Sequence, residues 1–136
     1  MSTNTKSLII EISKIEELER IAKVSGTTKA SIFNSFIKLC ANTDREIEFE
    51  IRKKSKHTLN KKKTKYANFA LNKVVKNIVP ENVNWNATFS EYLEDFIKCN
   101  SKITVFDSVK LPPVKKIYLK EAWDLHYVEN IIQYNY

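Results

Sequence analysis

Eight basic residues and no acidic one fall between positions 52 and 65: Arg52, Lys53, Lys54, Lys56, Lys61, Lys62, Lys63 and Lys65. Cationic side chains are almost never fully buried unless paired. Any fold must therefore keep this segment at the surface while packing the chain on both sides of it. The 136 residues hold 23 basic and 16 acidic side chains, a net charge of +7. Without the segment, 15 basic residues face 16 acidic ones, a net of −1. The chain is thus a near-neutral body with one cationic block. Such a concentration is the electrostatic footprint expected for a polyanion, nucleic acid first. An acidic protein surface is the competing occupant, and a solvated loop is the plainest reading of a charge run.

The rest of the composition narrows the class. A chain of this length reads as one domain, residues 1–136, large enough to bury a core. No apolar run exceeds three residues, Leu8–Ile10 among them, against the ~20 that a membrane helix needs. The N-terminus lacks the apolar stretch of a secretory signal, so a cytoplasmic protein, in host cytoplasm if viral, is expected. Cys40 and Cys99 are isolated and read as packed thiols of a reducing compartment. His57 and His126 are far apart and suggest no metal site. One glycine in the whole chain excludes both a Walker loop and a GxGxxG loop. No cofactor is expected. The abundance of Lys, Asn and Ile fits an AT-rich genome such as that of a phage or mobile element.

Periodicity predicts the order β-α-α-β-α-α-β-β-α, an α+β domain. Residues 7–13 read as a strand. Ser13 and Glu16 form an S-x-x-E capping box, placing a helix start near Lys14. Gly26 ends that helix, and a second follows Thr28 with Ile32, Phe33, Phe36, Ile37 and Cys40 on one stripe. Residues 46–52 alternate strictly, with Ile47, Phe49 and Ile51 on one side. The basic loop 52–65 follows. Ala67, Ala70, Leu71, Val74, Val75 and Ile78 predict a third helix ending at Pro80. Thr88 and Glu91 form a second capping box that opens a fourth helix. Residues 102–107 and 114–119 read as strands, and the tail from Glu121 as a helix.

Residues 18–32, LERIAKVSGTTKASI, resemble the helix-turn-helix of LacI-like DNA-binding repressors, and the segment 18–40 would hold it. Ala22 is small where two helices cross, Gly26 makes the tight turn, Thr28 caps the second helix, and Ile21 and Ile32 pack between them. The resemblance implies that Thr27, Thr28, Lys29, Ser31 and Asn34 lie near the exposed start of the second helix and reach phosphates and base edges. An αα-hairpin without DNA contact explains the same spacing. Phe33 and Ser35 depart from the repressor pattern. A strand followed by two helices is also similar to ribbon-helix-helix repressors, in which residues 7–13 would pair across a dimer. The longer element order, with the late segment 117–125, is faintly similar to the RegA-like translational repressors of T-even phages, which would imply RNA.

The predicted third helix extends the block, because Lys61, Lys65, Asn68, Asn72 and Lys76 would line one polar stripe. The block itself would be a loop, or the tip of a wing after strand 46–52. Tyr66 and His57 can stack on bases. DNA is favoured over RNA as partner, with a homodimer or a host protein as further possibilities. A nuclease reading would use Glu46, Glu48 and Glu50 with Lys53 and Lys54 around Mg²⁺. Its acid–basic spacing is wrong, so a solvated strand face is preferred and no enzyme is expected.

Overall fold

The computed structural model of the chain describes residues 4–42, 47–51 and 63–120. Among these residues it is an α+β fold with eight elements: β1 (Thr5–Glu11), α1 (Ile12–Ser25), α2 (Lys29–Ala41), β2 (Glu48–Ile51), β3 (Thr64–Ala70), α3 (Lys73–Ile78), α4 (Trp85–Cys99) and β4 (Lys116–Leu119). β1 pairs antiparallel with β3, with Leu8 opposite Ala67. β2 pairs in parallel with β4, with Phe49 opposite Ile117. The tail from Glu121 lies outside the described residues.

Alternation along β1 and β3 decides which face packs. Leu8, Ile10, Ala67 and Phe69 are buried, whereas Ser7, Tyr66 and Asn68 stand on the outer face. Phe33 and Phe36 of α2 meet Phe69 of β3 and Phe89 and Tyr92 of α4. Phe33 stacks on Phe69 at 4.7 Å and meets Phe89 edge-on at 4.9 Å, while Phe36 lies 4.5 Å from Tyr92. Each buried ring contributes ~2–3 kcal/mol by area, and each good ring pair ~1 kcal/mol more. α2 packs against α1, α3 and β3, and α4 against α1, β1 and β4.

The turn between α1 and α2 forms as the sequence predicts. Gly26 adopts the left-handed conformation (φ 76°), and the Thr27 N–H reaches the Ala22 carbonyl at 2.9 Å. Thr28 Oγ1 accepts from the Ser31 N–H at 3.1 Å.

The third helix predicted from residue 67 onward is split into β3 and the short α3. The apolar stripe that suggested it omits Phe69, which is fully buried, and includes Val74, which is exposed. A pairing partner 61 positions away, Ser7 opposite Asn68, overrides the local helical pattern. Lys65 and Asn68 thus sit on a strand, Asn72 caps α3 and Lys76 lies within it, so they share no helical stripe.

Neither capping box forms. β1 runs straight into α1, and the Ile12 N–H is taken by the Lys63 carbonyl at 2.8 Å instead of by a side-chain cap. α4 starts a turn earlier than predicted, capped by Asn84, whose side chain accepts from the Ala87 N–H. Thr88 is buried and accepts from the Tyr118 N–H at 3.0 Å, joining α4 to β4. Residues 102–107 form no strand; they belong to a loop.

The wing expectation also gives way. β2 and β3 lie in different sheets, so they are not the two arms of a hairpin. β1 spends one edge on β3, and on the other edge its Ile9 N–H is taken by Asn86 Oδ1 at 3.0 Å.

Candidate nucleic-acid interface

Of the cationic block, Arg52, Lys53, Lys54, Lys56, Lys61 and Lys62 lie outside the described residues. Its C-terminal end is described. Lys63 is exposed, and its carbonyl is tied to Ile12 at the head of α1. The Lys65 ammonium lies 3.9 Å from Glu19 of α1, both side chains being about half exposed (46% and 48%). A pair that open is worth ~0–1 kcal/mol, so Lys65 can exchange Glu19 for another anion at little cost. At the other end, β2 holds the chain up to Ile51 against β4, with Glu50 Oε2 3.1 Å from Lys116 Nζ. That carboxylate raises the Lys116 pKa, first by the hydrogen bond and then by its charge.

Next to Lys65, Tyr66 leaves 73% of its surface exposed on the outer face of the β1–β3 ribbon. Its cross-strand neighbour is Ile9, and two residues further along β3 Asn68 Oδ1 accepts from Ser7 Oγ at 2.6 Å. Lys65 alternates to the face that meets α1, so the Tyr66 ring shares the outer face with Ser7 and Asn68; an exposed phenol there can stack on an unpaired base.

The helix-turn-helix residues do not act alike. Ser31 and Thr28 are exposed. Lys29 is half-buried, with its ammonium 5.9 Å from the centre of the Phe69 ring. Asn34, expected at an exposed reading position, is only 7% exposed. Its Nδ2 donates to the carbonyls of Ala30 (2.6 Å) and Ala70 (2.8 Å), and its Oδ1 accepts from the Asn72 N–H (3.0 Å). The physical reason is the edge of β3: the Ala70 carbonyl faces away from β1, and Asn34 supplies the donor that a third strand would have given.

Ser31, Asn34 and Asn72 nevertheless come together. They border a cleft of about 400 Å³ between α2 and the β3–α3 turn, with Ser35, Lys38 and Leu71 completing it. Ser35 and Lys38 were not among the expected site residues. Their signal was present in the sequence, since Ser31, Ser35 and Lys38 recur at i, i+4 and i+7 along one helix face. Hydroxyls, an amide and one ammonium suit an oxyanion or a sugar edge. Lys76 of α3 is exposed, and so is Lys73.

Among the described residues no group of three or more His, Cys, Asp or Glu side chains is placed to hold a metal ion. Cys40 is buried, and burial raises its thiol pKa well above the ordinary value, which leaves it inert. Cys99 is exposed. No helix among the described residues is long and apolar enough to cross a membrane. Comparison with protein-family models, with curated proteins and with solved structures gives no match for this chain.

Proposed function

We propose that this protein binds nucleic acid as a non-catalytic regulator and anchors phosphates through residues 52–65. One observation carries the reading: eight cations and no acid occupy fourteen consecutive positions of a chain otherwise near neutral. The flanking chain supports the reading. Residues on both sides are built into sheets, β2 before and β3 after. Counterion release from several phosphates then supplies affinity, and the exposed Thr28, Ser31 and Lys38 lie on the α2 side to contact backbone or base edges.

The test is a salt series of electrophoretic shifts with duplex DNA, single-stranded DNA and RNA. Six to eight neutralised phosphates give a slope of about −5 to −7 in log affinity against log salt for a duplex. Replacing Lys61, Lys62 and Lys63 by Glu removes binding. Affinity that survives that replacement for all three partners refutes the proposal.

A second reading, RNA or another single strand over duplex DNA, is favoured by Tyr66. Its ring stands on an open sheet face, whereas Asn34 is committed to the protein's own backbone. The same shift series separates the two.

A further inference from the structure

The acidic residues of this chain avoid two long stretches of it. Residues 20–43 hold four basic side chains and residues 52–80 hold ten, and neither stretch contains an Asp or a Glu. The fold brings the two together. α2 lies in the first stretch, β3 and α3 lie in the second, and α2 packs against both. Carboxylates are carried elsewhere, by Glu16, Glu17 and Glu19 on α1, Glu48 and Glu50 on β2, and Glu91, Glu94 and Asp95 on α4. Lys38 of α2 and Lys73 and Lys76 of α3 are exposed and form no ion pair among the described residues.

The cleft of about 400 Å³ between α2 and the β3–α3 turn lies at this junction, and no carboxylate lines it. Its side-chain amide oxygens are already spent. Asn34 Oδ1 accepts the Asn72 N–H, and Asn72 Oδ1 accepts the Val75 N–H. The Ala70 carbonyl is likewise occupied, by Asn34 Nδ2. Four donors remain: the Lys38 ammonium, the hydroxyls of Ser31 and Ser35, and Asn72 Nδ2. None has a partner among the described residues. One cation with three neutral donors complements an anion that carries several acceptor oxygens, and it repels a metal ion. Pockets for small molecules are lined mostly by apolar side chains. Here only Ala70 and Leu71 are apolar.

We infer that this cleft seats a backbone phosphate of the bound nucleic acid, with Lys38 as the counter-charge and Ser31, Ser35 and Asn72 as neutral donors. The inference rests on the reading of the chain as a nucleic-acid binder and adds to it a contact outside residues 52–65. Asn34 holds the cleft's shape and makes no contact with the ligand.

The test is the duplex salt series on variants of the full chain. Lys38→Gln makes the slope of log affinity against log salt less steep by about 0.9 and lowers affinity about eightfold at 0.1 M salt, as loss of one phosphate contact does. Lys38→Arg keeps both near wild type. Ser31→Ala combined with Ser35→Ala lowers affinity about fivefold and leaves the slope in place, because a hydroxyl releases no counterion. Lys98→Gln, an exposed lysine at the end of α4, changes neither. Lys38→Gln with wild-type affinity and slope overturns the inference, and so does lost affinity at an unchanged slope. Inorganic phosphate is the second probe, followed through the amide shifts of Ser31 and Ser35. If it fills the cleft while nucleic-acid affinity ignores Lys38, the site belongs to a free anion and the inference falls. The block variant with Lys61, Lys62 and Lys63 replaced by Glu separates the two claims. Binding that survives in that variant but still depends on Lys38 removes the block and keeps the cleft. Binding lost there but indifferent to Lys38→Gln removes the cleft and keeps the block. A wild-type chain that binds no nucleic acid overturns both.

Discussion

The side-chain oxygen of Asn34 accepts the backbone N–H of Asn72 at 3.0 Å, across 38 positions of sequence. With its Nδ2 on the Ala70 carbonyl, Asn34 spans the turn from β3 into α3 as a third strand would. Asn72 in turn caps α3 by accepting the Val75 N–H at 2.8 Å. One buried amide thus fixes where β3 stops and where α3 begins.

Asn34→Ala leaves the Ala70 carbonyl and the Asn72 N–H without this partner and costs about 2 kcal/mol of stability. Urea unfolding shows a lower midpoint with an unchanged slope. Duplex affinity, measured where the variant is folded, stays within about twofold of wild type. A large loss of sequence selectivity without loss of stability would restore Asn34 to a base-reading role.

Gly26→Ala tests the α1–α2 turn. A Cβ at this position meets nothing within 4 Å, so packing does not oppose it. The cost is conformational alone, about 1 kcal/mol for a left-handed residue. Gly26→Asn costs less, because Asn visits that region more readily. Thermal melts of the two variants rank them in that order.

Tyr92→Phe raises stability by about 1 kcal/mol. The hydroxyl is buried and has no hydrogen-bond partner among the described residues. Removing an unsatisfied polar group relieves its desolvation cost. Burial, then Cys40, Cys99 and Asp95, hold its pKa above that of an ordinary phenol, so the group stays neutral at physiological pH. A higher urea midpoint is the readout.

Tyr66→Ala separates the two nucleic-acid readings. Loss of a stacked base lowers single-strand affinity by about 1–3 kcal/mol, while duplex affinity and the salt slope hold. Because the ring is largely in solvent, circular dichroism is unaltered. Equal losses for duplex and single strand would remove Tyr66 from base contact.

The Thr104–Asp107 brace makes the Phe106 loop acid-sensitive. Hydrogen bonds from the Thr104 hydroxyl and N–H hold the Asp107 carboxyl below its ordinary value of 3.8, with Lys110 adding to the effect. A lowered folded-state pKa means that the contribution is complete above 3.8 and is lost as pH falls through the lowered value. The protection of the Thr104 amide, its exchange rate relative to the intrinsic rate at the same pH, is full at pH 6 and falls as pH drops below 3.8. Asp107→Asn flattens that dependence.

Local chemistry in the sequence determined much of this protein. Gly26 and Thr28 carry the backbone preferences that end one helix and start the next, and the stripe from Ile32 to Cys40 needs only its own helix to be read. The alternation Ile47–Phe49 announces β2, and the charge block is visible by counting. Only the tertiary structure decided that residues 64–70 are a strand, because β1 supplies its hydrogen-bond partners from more than fifty positions away. It likewise turned Thr88 and Asn34 inward, to a strand amide and a strand carbonyl that no local pattern reveals. Backbone groups at the ends and edges of elements must find partners wherever the fold brings them. A polar side chain that reads as exposed on a helix wheel is the nearest one available.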